Sequence, residues 1–205
     1  MSDAWRNWIL HSEGAVRASR AVRAIAALGL AVAATIVLAN LGRGRSVPGV
    51  TVLLFLGIPA LVVGQLWGIA VLVARQEGSP EAGWLRARWR FKPVGGSRRF
   101  FFGSLPSWMA NAILVVFFLG WLSAMTAFPS LLSGNPTSPA PGCRYRLDNH
   151  GEYSCVSRST WLAAGAAEQR FVAGVLGAFF VFHLGLAAAE LRRRRDPSVT
   201  PEPAA

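Results

Sequence analysis

The sequence predicts an all-α integral membrane protein, a bundle of four transmembrane helices with a small disulfide-stapled extracytoplasmic hairpin. Three observations carry this expectation. Of 205 residues, 53% are hydrophobic, and they come in blocks of about twenty, not at the helix or strand spacing of a soluble core. The formal charge of +11 is carried by cations that flank those blocks. The two cysteines fall together in one polar stretch, "CRYRLDNHGEYSC", at residues 143–155.

Residues 1–20 place Trp5, Trp8 and Ile9 near one helical face, the pattern of an interfacial helix on the cytoplasmic side. The first span is Val22–Leu41. It has the basic flank of a signal peptide, but its apolar run is too long and no cleavage site follows, so it reads as an uncleaved anchor. The second is Gly49–Ala74, with Pro59 as an expected kink. The third is Ser107–Leu131 and the fourth Phe171–Glu190. At 1.5 Å per residue each reaches about 30 Å, enough to cross the hydrocarbon. Lipid offers no partner to a backbone amide, so each span must be helical. A helix beginning near Ser159 extends the fourth span one to two turns above the bilayer.

Orientation follows from the cations. Fifteen of the 21 lie in three segments: the N-terminal stretch, the loop 75–106 between spans two and three, and the tail after residue 191. The positive-inside rule therefore puts both termini in the cytoplasm of a multi-pass cell-membrane protein. Arg86, Arg88, Arg90 and Lys92 alternate with Leu85, Ala87, Trp89 and Phe91, and Arg98 and Arg99 precede a run of aromatics. With Arg192 and Arg193, these cations are expected to contact anionic lipid headgroups. The expected partners are the bilayer and other membrane proteins or further copies of the chain; nucleic acid is not expected. The stretch 192–205 reads as basic and then disordered.

Residues 132–170 then face the oxidising side, where Cys143 and Cys155 are expected to bond to each other. Pairing them directly sets Tyr145 opposite Tyr153, Arg146 opposite Glu152 and Leu147 opposite Gly151, around a turn at Asp148, Asn149 and His150. The preceding "LSGNPTSPAPG" reads as a semi-rigid linker. A metal held by Cys143, His150 and Cys155 would need free thiolates outside the cell and is not expected. Glu168 and Arg170 fall at the outer mouth of the fourth span.

Polar residues inside spans are the usual seat of intramembrane chemistry. Gln65 and His183 lie at similar depth and form a candidate pair, joined by interhelical hydrogen bonding; Asn111 and Ser123 are lesser candidates. Small residues recur four apart at Gly64 and Gly68, Gly120 and Ala124, and Gly174 and Ala178, which permits close helix contact. Glu190, beside four arginines, is expected to be paired there. No phosphate-cradling loop, metal-ligand spacing or nucleophile elbow is present in the sequence. These readings predict no catalytic residue and no cofactor. The function class they favour is a non-catalytic accessory, scaffold or regulatory subunit acting through protein–protein contacts. The alternative is an oligomeric small-solute or ion transport component, with Gln65 and His183 lining a polar path.

Overall fold

A computed structural model describes residues 3–43, 50–76 and 104–196. The chain is mostly helical, and five helices and three short strands are described: α1 (Asp3–His11), α2 (Glu13–Arg43), α3 (Val50–Gln76), α4 (Ser107–Leu131), β1 (Asn135–Thr137), β2 (Arg146–Asn149), β3 (Glu152–Cys155) and α5 (Arg158–Arg195). The basic residues Arg86, Arg88, Arg90, Lys92, Arg98 and Arg99 lie outside the described residues, as does the chain after residue 196.

Three helices are long and apolar enough to cross a membrane: Glu13–Leu41 of α2, all of α4, and α5. Helix α3 has 27 residues, and its apolar described stretch, Leu56–Val71, is shorter than a full span. It continues through Pro59, and α4 carries Pro129 in its last turn.

The helix boundaries have local causes. The chain breaks between α1 and α2 at Ser12, whose hydroxyl accepts from the Ala15 amide at 3.1 Å, so one of the orphan amides of the α2 start is satisfied. Residues 13–20, expected to belong to the N-terminal segment, are the first turns of α2. Ser157 does the same for α5, accepting from the Thr160 amide at 3.1 Å. That cap places the α5 start at Arg158, and its 38 residues reach about 57 Å, well beyond the expected span 171–190.

The described residues fall into two compact units, those within Met1–Ala27, Ala60–Leu114 and Val181–Ala205, and those within Leu28–Pro59 and Val115–Phe180. The second unit holds the closest helix approach. A Cβ on Gly120 would sit 2.8 Å from the Gly174 carbonyl oxygen, and one on Gly174 would sit 2.6 Å from that of Gly120. Only glycine at both positions lets α4 and α5 touch backbone to backbone.

The same unit carries the small sheet, antiparallel in the order β1-β2-β3. Two expectations are corrected here. Residues 135–137 are not linker; they pair with β2, setting Pro136 opposite Leu147. The hairpin register is also displaced. Arg146 lies opposite Cys155, Leu147 opposite Ser154, Asp148 opposite Tyr153 and Asn149 opposite Glu152. The cause is the turn. His150 and Gly151 both have positive φ, 54° and 93°, which makes a two-residue turn of the twist that hairpins favour, and Asp148 Oδ1 accepts from the Gly151 amide at 2.7 Å. A three-residue turn from Asp148 to His150 is therefore not formed. The disulfide joins Cys143 to Cys155 with Cα atoms 5.6 Å apart. Cys143 stands in the loop before β2, where its backbone pairs with Ala140, so the bridge ties loop to strand and not two facing partners.

Candidate functional site

In the first unit, α1 is held against α3. Ile9 is 1% exposed and packs with Val71 and Ala74, with Trp5 and Trp67 around them. Arg6 donates through Nε to the Ala74 carbonyl at 3.0 Å. The Trp8 and Trp67 rings meet edge to face at 6.4 Å, and Trp67 Nε1 donates to Ser19 at 3.2 Å. From α5, Arg194 bonds Glu190 at 2.7 Å and also donates to the Ile9 carbonyl. Glu190 is 3% exposed, and a buried carboxylate is stabilised by a cation beside it. The N-terminal helix is thus clamped by two arginines on backbone oxygens, with Ile9 buried against α3 and Trp8 48% exposed. Arg192 is exposed and Arg193 half-buried.

One turn and more along α5 is the polar pair that stands out in this unit. His183 Nε2 lies 2.9 Å from Gln65 Oε1, and with the carbonyl oxygen as acceptor the imidazole donates from Nε2. The ring is 3% exposed. It lies against Gly64, where a Cβ would stand 3.4 Å from His183 Cδ2, an ordinary contact. Gln65 itself is exposed. Further along α5, the Ala189 carbonyl accepts from Ser104 Oγ at 3.0 Å. Chemically, the pair is a donor–acceptor tie between α3 and α5.

In the second unit the sheet leans on the start of α5. The Tyr145 and Trp161 ring centroids are 6.0 Å apart. Arg146 stacks over Tyr153 at 4.1 Å, and Arg144 over Tyr145 at 5.8 Å. The expected Arg146–Glu152 facing pair is replaced by this cation–π contact, because the two-residue turn sets Glu152 opposite Asn149. Leu147 is 3% exposed and is the buried side chain of the sheet. His150 and Glu152 are exposed, and Tyr153 is 57% exposed. Glu168 is exposed, while Arg170 is half-buried on the next turn of α5.

Two features of this unit go beyond the sequence expectations. Asn40, 2% exposed, donates through Nδ2 to the Ala166 carbonyl at 3.4 Å. A lone amide at the end of an apolar run was the available signal. The other is an apolar cleft of about 520 Å3, lined by Ala33, Val37, Leu119, Ser123, Gly174 and Gly177 among others. It follows from the small residues at the helix crossing and is not visible in hydropathy alone.

No protein-family model, curated protein or solved structure matches the chain.

Proposed function

We propose that the chain is a multi-pass membrane protein of four spans with both termini cytoplasmic, serving as a non-catalytic accessory, scaffold or regulatory subunit that works through protein–protein contacts. The observation that carries the reading is where the polar groups of the apolar helices go. Gln65 bonds His183, Asn40 bonds the Ala166 carbonyl and Ser104 bonds the Ala189 carbonyl. The first two join one helix to another, the use of polar groups that holds helices together in lipid, and the third ties the turn before α4 to α5. The fourth span is α3, supported by its length of 27 residues and by its bond to α5. The orientation rests on the cation distribution, which puts the disulfide-bonded sheet outside and Arg192 and Arg193 on anionic headgroups.

The test is chemical cross-linking in membranes, followed by extraction in mild detergent. The reading expects an assembly heavier than the 22.0 kDa chain; a monomer both in the membrane and in detergent refutes it. The Gln65–His183 bond also supports the transport reading, in which His183→Ala alters solute flux at unchanged abundance.

A further inference from the structure

We propose that a second copy of this chain docks on α3 through Gln65, whose carboxamide pairs with the same carboxamide of that copy. The inference rests on the membrane-spanning reading and names the partner. Gln65 lies within the apolar stretch Leu56–Val71 and is exposed. Its Oε1 is engaged by His183. Among the described residues, none takes the two hydrogens of its Nε2. Lipid tails supply no acceptor, so an outward amide at this position calls for another protein.

The face around it is built for one. Val62, Leu66 and Ile69 are 50%, 62% and 45% exposed, at the three- and four-residue spacing of a helix–helix seam. Gly64 and Gly68 turn toward His183 and Leu186 of α5, which leaves the Val62–Ile69 stripe outward.

The choice of a second copy follows from symmetry and from hydrogen-bond arithmetic. Copies inserted with one orientation associate about an axis along the membrane normal, which brings residues of equal depth together. Gln65 then meets Gln65. A primary amide is self-complementary: each Nε2 donates to the other copy's Oε1, whose second lone pair remains after His183 has taken the first. A single polar residue in an apolar seam selects register and partner in this way.

The full-length chain in its own membranes provides the test. Cys143 and Cys155 are bonded to each other, so Leu66→Cys introduces the one free thiol. The expected result is an oxidative cross-link giving a band at twice the chain mass, with none from Phe118→Cys, a site on α4 that is 64% exposed. Adding Gln65→Leu to Leu66→Cys is expected to weaken self-association by roughly threefold to thirtyfold. Equal cross-linking at both sites, or none at Leu66→Cys while the chain stays in alkali-washed membranes, overturns the inference and leaves the membrane reading standing. An undiminished dimer in the Gln65→Leu background also overturns it. Release of the chain by alkali refutes the membrane reading itself. Should Gln65→Leu fail to fold, the comparison of the two cysteine sites, made with Gln65 intact, still decides.

Discussion

The contact between α4 and α5 makes a quantitative prediction about a single methyl group. In Gly174→Ala the new Cβ would stand 2.6 Å from the Gly120 carbonyl oxygen and 3.0 Å from the Ala124 amide nitrogen. Both are backbone atoms of a helix, so neither can swing aside as a side chain would. Restoring ordinary contact at about 3.4 Å requires the two helices to part by roughly 0.5–1 Å along the crossing, an overpacking that costs about 1–3 kcal/mol. Alanine also raises helix propensity by up to about 1 kcal/mol, and a control must remove that gain. Gly68→Ala supplies it, because among the described residues its Cβ would meet only Leu186 Cδ1, at 3.5 Å. Gly174→Ala is therefore expected to be about 1–3 kcal/mol less stable than Gly68→Ala, a factor of roughly 5 to 150 in the unfolding equilibrium. Reversible unfolding in mixed micelles with increasing sodium dodecyl sulfate, followed by tryptophan fluorescence, measures the difference. Equal stability of the two variants refutes the close crossing.

Three other perturbations have defined outcomes. Replacing Cys143 and Cys155 by serine opens a loop of sequence separation 12 and is expected to destabilise the sheet by about 3 kcal/mol. Protease should then nick residues 132–157 at least tenfold faster while the helical circular dichroism signal persists. Arg194→Met removes the cation bonded to Glu190, whose side chain is 4% exposed. That change should cost about 3–5 kcal/mol in the same unfolding assay, and part of it should return in the double variant with Glu190→Gln. His183→Leu removes the bond to Gln65 at a cost of roughly 0.6–2 kcal/mol; adding Gln65→Leu should cost less than the sum of the single changes, a coupling that a double-mutant cycle reads directly.

How much was legible in the sequence depended on the kind of signal. Helix existence and type were plain, because a long apolar block admits one backbone solution in lipid; α4 occupies the residues 107–131 that hydropathy marks. The disulfide was legible by elimination, since Cys143 and Cys155 had no other partner. The sheet register was not. It depends on His150 accepting a left-handed backbone beside Gly151, which converts an expected three-residue turn into a two-residue one and moves every facing pair. The strand at Asn135–Thr137 was hidden behind Pro136 and Pro139, which read as linker. Gly134 is what brings it in, with φ of 114° and the Asp148 carbonyl oxygen 3.1 Å from where a Cβ would stand. Backbone-directed ties were equally silent. Nothing in composition announces that Arg6 reaches the Ala74 carbonyl or that Arg194 reaches that of Ile9, because a carbonyl acceptor carries no residue identity.

The membrane account is tested most directly by a membrane-impermeant maleimide applied to intact cells that express the full chain, with and without prior treatment by an impermeant reductant. The account predicts no labelling before reduction, because both thiols are bonded to each other, and labelling of Cys143 and Cys155 after it, with the cells unbroken. Labelling that requires lysis would place residues 143–155 on the cytoplasmic side and contradict both the orientation and the four-span topology.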